Sequence, residues 1–273
     1  MFKENLKNLK EKSPLVHNIT NYVTVNDCAN ILLACGGSPI MADDENEVAD
    51  ITSICNGLNI NIGTLNQRTI SSMIIAGKKA NELNHIVLLD PVGVGASTLR
   101  NETAKTLLEE IKFSIIRGNI SEIKTLALGS GKTKGVDATI EDIVTKNNLD
   151  ATIQFAKDFS KNTGAIIVIT GAIDIVANSE KAYVCYNGSP RMSKVTGTGC
   201  MLSAMTTAFA CANSSNLLDA TFTSVCSMGL CGEIAEKRLS EFDGNMTYRN
   251  YIIDAIYNLN GDVIESGAKY EVR

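Results

Sequence analysis

Two glycines and a thiol stand together at Val195–Cys200 (VTGTGC), directly ahead of the apolar helical stretch MLSAMTTAFA. Backbone N–H groups left free at a helix start form a positive end that suits a phosphate or a developing anion. Gly197 and Gly199 let a ligand approach with no Cβ in the way. Cys200, at the helix N-terminus, is expected to have a lowered thiol pKa. The same residues also fit a plain glycine-rich helix start with a buried cysteine. Arg117–Ile123 (RGNISEI) is a second candidate, because an arginine leaving a buried strand can meet phosphate oxygens. Asn119 and Glu122, three residues apart, share one helix face and could hold a hydrated magnesium ion. They equally fit an N-cap asparagine with Glu122 completing a capping-box-like pair. Asp90, ahead of Pro91, is either a further member of the metal shell or a turn-forming Asp-Pro at a strand end.

The chain has only two histidines, His17 and His85, so any metal must use oxygen ligands, which points to magnesium. Gly129–Gly135 (GSGKTKG) resembles a P-loop only at its end. The first glycine of that pattern should stand at position 126, which is Leu126. The loop should also follow a buried strand, whereas Glu122–Leu128 has the pattern of a short helix. The segment therefore reads as a loop rich in glycine and lysine.

Positioning these residues falls to an alternation of strands and helices. Leu58–Ile62, His85–Leu89, Phe113–Ile116 and Ala165–Ile169 are short and nearly all apolar, the pattern of strands buried on both faces. Between them lie helix candidates at Thr69–Leu83, Thr103–Ile111 and Leu149–Lys161. The alternation implies an α/β fold with a mostly parallel central sheet. Ile173–Tyr186 carries two β-rich runs around Asn-Ser-Glu-Lys, expected as a hairpin at one edge of the sheet. From Cys200 to Asn260 the pattern is almost wholly helical. No linker, repeat or low-complexity segment interrupts the chain, so one domain over residues 1–273 is expected. Ligands of open α/β sheets bind beyond the carboxyl ends of the strands. There stand Gly63-Thr64, Asp90–Gly93, Arg117–Asn119 and Thr170-Gly171, all small, polar or charged except Pro91 and Val92.

Composition narrows the partners. Of 273 residues 44% are hydrophobic and 20% charged, which is ordinary for a globular protein and rules out bulk disorder. A net charge of −5 offers no cationic surface to a phosphate backbone, so nucleic acid is not an expected partner. The apolar runs are too short to span a bilayer and the N-terminus has no apolar signal core, so no membrane partner is expected either. Eight cysteines form no CxxC pair. Cys28, Cys55 and Cys211 sit in apolar helical patterns, where a reduced cysteine acts as a small hydrophobe. A cytoplasmic location is expected.

Several motifs occur together in a fixed order. They are Asp90–Ser97 (DPVGVGAS), Arg117–Ile123 (RGNISEI), Val168–Gly171 (VITG) and Val195–Cys200 (VTGTGC). The front half adds His17–Asn21 (HNITN), Ala29–Leu33 (ANILL), Gly36–Met41 (GGSPIM) and Asn61–Leu65 (NIGTL). In this order and spacing the chain resembles the hydroxyethylthiazole kinases, from about His17 to the helix ending near Arg238. It departs at Gly244-Asn245-Met246, where the family usually has Gly-x-Gly, and the local turn there is the point in question.

The resemblance implies a ribokinase-like three-layer fold, a mostly parallel sheet flanked by helices, and homotrimers with active sites between subunits. It implies phosphorylation of the hydroxyethyl group of 4-methyl-5-(2-hydroxyethyl)thiazole by ATP with magnesium, in thiamine biosynthesis or salvage. Residue by residue, it implies substrate contacts at Met41 and Gly197, and ATP contacts at Arg117 and Thr170. Asn119 and Glu122 would organise the magnesium, with Asp90 nearby. Cys200 would occupy the position where the wider superfamily carries a general-base aspartate. Without the resemblance Met41 reads as a core gap-filler. Two other functions remain open at this stage: a kinase of another small alcohol such as hydroxymethylpyrimidine, or a non-catalytic nucleotide-binding relative.

Overall fold

A strand that is apolar on both sides needs a helical layer on each face, since one uncovered face would leave half its side chains in water. The computed structural model describes residues 1–129 and 143–273, and these residues meet that need with one sheet of nine strands. In chain order the elements begin α1 (Phe2–Lys12), β1 (Leu15–Ile19), α2 (Val25–Cys35), β2 (Ser38–Met41), α3 (Val48–Ile54), β3 (Gly57–Asn61) and α4 (Gln67–Glu82). They continue β4 (Ile86–Asp90), α5 (Thr98–Glu110), β5 (Ile115–Asn119), α6 (Ile120–Gly129), α7 (Leu149–Thr163) and β6 (Ile166–Thr170). The last are β7 (Asp174–Ala177), β8 (Ala182–Cys185), α8 (Thr198–Ala212), α9 (Leu217–Lys237), α10 (Asn245–Tyr257), α11 (Gly261–Gly267) and β9 (Tyr270–Val272).

The strands lie in the order β2-β1-β3-β4-β5-β6-β7-β8-β9. Every neighbouring pair from β2 to β6 is parallel, and the pairs from β6 to β9 are antiparallel. Successive side chains point to opposite faces. Leu88 therefore joins the core shared with α1, α2, α8, α9 and α10, and Leu89 joins the core shared with α4 to α7. These are the three layers expected. No helix among the described residues is long and apolar enough to cross a membrane.

β3, β4 and β6 stand within one residue of the apolar runs that placed them, and β5 starts two residues and ends three residues later than its run. β1 and β2 escaped notice because neither is an apolar run. β1 carries His17 and Asn18, both buried; the His17 ring lies 2.9 Å from Thr52 Oγ1 through Nδ1 and 2.9 Å from the Ala42 carbonyl through Nε2. β2 is four half-buried residues including Pro39, which an edge strand tolerates. The hairpin is β7–β8, but it does not close the sheet. β9 pairs antiparallel with β8 and takes the edge, because the chain returns after α11 to cover it.

The helical stretch after Cys200 breaks between α9 and α10, where Gly244 caps α10 with φ −109° and ψ −165°. That backbone demands no second glycine, so Met246 is accommodated inside the helix. Cys28 and Cys211 lie in helices, whereas Cys55 stands just past the end of α3. The expected short helix before the P-loop-like segment is α6, with Leu126 buried on it. Gly131, Lys132 and Thr133 lie outside the described residues.

Candidate active site

β3, β4, β5 and β6 end at one rim of the sheet, and α8 begins there. Asn61 at the end of β3 pairs in register with Asp90 at the end of β4, and Asn119 of β5 pairs with Thr170 of β6. The polar strand ends are thus brought into one row, as expected, and a hydrogen-bond chain runs through them. Asn21, just beyond β1, donates to Asn61 Oδ1 at 3.0 Å, and Asn61 donates to Asp90 Oδ2 at 2.8 Å. Ser203 of α8 donates to the same Asp90 oxygen at 2.8 Å. Arg117 donates to Asp90 Oδ1 at 3.4 Å and to Thr170 Oγ1 at 2.8 Å.

Asp90 is fully buried. Burial pushes its pKa upward, against the pull of Arg117 and the hydrogen bond from Ser203. Its oxygens are held by Asn61, Ser203 and Arg117, and it lines neither of the cavities described below. The expected metal-shell aspartate thus stands beside Arg117, with which it pairs at 3.4 Å.

The start of α8 is shaped by its glycines. Gly197 has φ +94°, a left-handed conformation, and a Cβ on it would lie 2.7 Å from Thr24 Cγ2. A Cβ on Gly199 would lie 2.7 Å from Arg117 Nη2 and 2.8 Å from Nη1. The guanidinium therefore packs directly against the helix start, and among the described residues Arg117 Nε is buried without a partner. Cys200 Sγ sits 3.3 Å from the amide nitrogens of both Asn21 and Asn61. Its thiol pKa is raised, by burial first and by Asp90 second, against hydrogen bonds from Thr24 and Asn21 and the charge of Arg117. This runs against the expected lowering, with desolvation and a neighbouring carboxylate as the largest influences on the thiol.

Two cavities meet at this point. One, of about 530 Å³, is lined by the apolar Leu202, Val225 and Met228 and the polar Thr170, Ser193 and Thr198, among others. The other, of about 340 Å³, is lined by Asn21, Thr24, Gly63, Asn119, Glu122, Gly197 and Cys200, among others. Arg117 and Gly199 line both.

Asn119 and Glu122 form a reciprocal cap. Glu122 N donates to Asn119 Oδ1 at 2.8 Å, and Asn119 N donates to Glu122 Oε2 at 2.9 Å. Gly93 N donates to Glu122 Oε1 at 2.8 Å. The capping arrangement is real, and both side chains nevertheless face the smaller cavity. Met41 is the residue the structure does not bring to the others. It ends edge strand β2 opposite Asn18 and lines neither cavity. Asn21, Asn61 and Ser203 belong to the site without having been singled out for it. Their signal was faint: amides and a hydroxyl at strand ends or on an apolar helix, which become buried only in the fold.

A ribokinase-like superfamily protein from Enterococcus faecalis superposes with a TM-score of 0.60 at 12% identity, covering 94% of this chain and 88% of its own. That likeness defines the class: the fold is ribokinase-like. The model of the hydroxyethylthiazole kinase family matches residues 6–262. A hydroxyethylthiazole kinase from Clostridium acetobutylicum is 67% identical over 271 residues, 99% of each chain. The structure of a hydroxyethylthiazole kinase protein from Pyrococcus horikoshii superposes with a TM-score of 0.88 at 32% identity, covering 100% of this chain and 98% of its own. The chain belongs to the hydroxyethylthiazole kinase family, and the expectation of a phosphotransferase stands with that membership.

Proposed function

We propose that this protein transfers the γ-phosphoryl group of ATP, with magnesium, to the hydroxyethyl side chain of 4-methyl-5-(2-hydroxyethyl)thiazole, in thiamine biosynthesis or salvage. The observation that carries this beyond family membership is the place of Arg117, between two cavities and against the start of α8. A donor nucleotide suits the larger cavity, whose lining supplies apolar Leu202, Val225 and Met228 for a base and the hydroxyls of Thr170 and Thr198 for polar groups. The alcohol suits the smaller one, beside Cys200 and Gly197. Phosphoryl transfer passes through a loose transition state, so catalysis is mostly positioning and charge stabilisation. Arg117, held by Asp90 and Thr170, supplies fixed positive charge at the junction, and the free amides of α8 supply oriented dipoles.

Magnesium usually keeps several waters and is held by one or two carboxylates together with substrate phosphates. Among the described residues no cluster of three His, Cys, Asp or Glu side chains could cage an ion. Glu122, facing the cavity with Asn119 beside it, fits an ion that arrives on the nucleotide and is held through water. Bound there, the ion would neutralise polyphosphate charge. A raised thiol pKa makes Cys200 a group that positions the hydroxyl more than one that removes its proton. Exposed Leu33 on α2 and Ile54 on α3, the helices on either side of β2 in the chain, support a homotrimer in which Met41 completes a neighbour's substrate wall. The whole chain then acts as one domain, in the cytoplasm.

The deciding experiment is product formation with ATP, magnesium and a panel of thiazole, pyrimidine and sugar alcohols. Turnover of hydroxyethylthiazole and not hydroxymethylpyrimidine is expected. Equal turnover of both, or of the pyrimidine alone, would move the protein to the rival kinase.

A further inference from the structure

Arg100, in the first turn of α5, makes contacts that neither the fold nor the site described above requires. Its Nη1 donates to the carbonyl of Ile62 at 2.9 Å and to that of Val92, and its Nη2 donates to the carbonyl of Gly63 at 2.7 Å. Among the described residues no carboxylate forms an ion pair with it. Ile62 and Gly63 follow β3, and Val92 follows β4, so one guanidinium ties the ends of two adjacent strands together. Gly63 and Val92 also line the smaller cavity.

The Val92 contact reaches further. The Val92 carbonyl and the Gly93 N–H belong to one planar peptide unit. Arg100 holds the oxygen of that unit, and its N–H donates to Glu122 Oε1 at 2.8 Å. A cation at the carbonyl end polarises the peptide and strengthens the N–H as a donor. The position suits glycine. Gly93 has φ +71°, and a Cβ on it would come within 3.0 Å of Arg100 Nη1. Glu122 Oε2 is fixed separately by Asn119 N, so the two oxygens answer to two different backbone donors.

We infer that Arg100 is a positioning residue for Glu122, acting through the Val92–Gly93 peptide, and that it sets where the Glu122 carboxylate stands at the wall of the smaller cavity. The inference rests on the proposed role of Glu122 in phosphoryl transfer. Lysine cannot replace Arg100 fully, because an ammonium lacks the planar fork that reaches two strands at once.

The test compares wild type, Arg100→Ala, Arg100→Lys, Glu122→Gln and the Arg100→Ala/Glu122→Gln double variant. Turnover and apparent magnesium requirement are measured alongside the Gly93 amide resonance. Labelling valine carbonyls with 13C and glycine amides with 15N isolates Val92-Gly93 and Val94-Gly95, the two Val-Gly pairs of the sequence. Arg100→Ala should lower kcat by about 10²-fold with little change in nucleotide KM, as loss of a positioned group does. Arg100→Lys should recover part of that loss, and the Gly93 resonance should move in both variants. On the Glu122→Gln background Arg100→Ala should cost no more than about threefold, because residues acting as one unit are not additive.

Multiplicative losses in the double variant, or an unchanged kcat in Arg100→Ala, would overturn the inference. If Arg100→Ala does not fold, Arg100→Lys carries the same cycle. Unfolding of both would make Arg100 a scaffold residue and end the proposal. If the wild-type protein shows no thiazole kinase activity, the proposed function fails, and the Gly93 resonance alone decides the Arg100–Glu122 link: movement sustains it, and an unmoved resonance refutes it.

Discussion

Arg117 lies so close to Gly199 that a single methyl group at residue 199 would stand 2.7 Å from Nη2. The contact joins the only side chain among the described residues that lines both cavities to the start of α8. Gly199→Ala should therefore push Arg117 off Thr170 and lower kcat/KM by about 10²-fold, the scale of a misplaced positioning group. Alanine favours a helix over glycine by roughly 0.5–1 kcal/mol, so thermal stability should be nearly kept. Steady-state kinetics and a melting curve on the same preparation check both halves. Wild-type kinetics in this variant would remove the Arg117–Gly199 contact from the mechanism.

Glu122→Gln separates capping from catalysis. Glutamine serves a capping box as well as glutamate does, so the start of α6 should survive. The charge facing the cavity is lost, and turnover should fall by about two orders of magnitude or more, most steeply at limiting magnesium. Normal turnover under that condition would leave Glu122 as a helix cap.

Cys200→Ala should be impaired but measurably active, by no more than about the 10²–10⁴-fold that a positioned acid–base group contributes. Cys200→Asp should be active, since it restores the carboxylate of the wider superfamily. Direct transfer to the alcohol needs no protein nucleophile. Wild-type protein exposed to ATP without the alcohol should accordingly carry no phosphate adduct on Cys200. An adduct formed at a rate competent for turnover would establish a covalent route.

The pH dependence of Cys200 has a definite sign. Burial and Asp90 raise its thiol pKa, so at any pH its thiolate fraction is below that of a free cysteine. Alkylation of the Cys200 peptide by iodoacetamide should be slower than that of glutathione at neutral pH and should climb with a midpoint displaced to alkaline pH. Faster alkylation at neutral pH would show that the helix start and the two amides prevail over burial.

Sedimentation coupled to activity tests the assembly. Active material should sediment as a trimer, and Met41→Ala should raise the KM for the alcohol more than that for ATP. A fully active monomer would place the whole substrate wall within one chain.

Much of the scaffold was legible because parallel strands buried on both faces are written as uninterrupted apolar runs. Ile86–Asp90 and Ile166–Thr170 could be located, and the polar residues ending them identified as the reactive rim, from local composition alone. β1 and β2 were not legible. The buried His17 and Asn18 of β1 are accommodated through Thr52, Ala42 and Asn59, distant in sequence, and β2 is a half-buried edge strand interrupted by Pro39. The edge strand β9 was hidden for a similar reason, since three exposed residues become a strand only when β8 offers them a ladder.

The sequence by itself determined which residue types gather at the strand ends and before α8, and its ordered motifs pointed to the family. Only the tertiary structure decided their division of labour. Asp90 could be read from its Asp-Pro context alone, and the fold buried it and gave its oxygens Asn61, Ser203 and Arg117 as partners. Cys200 could be read as an activated thiol until burial and a neighbouring carboxylate raised its pKa. Asn119 and Glu122 turned out to cap a helix and face a cavity at once. The reason is the same in each case. Spacing along the chain fixes what a residue can do, whereas its solvation and the charges beside it depend on elements from 27 to 113 residues away in the case of Asp90, and these decide what it does.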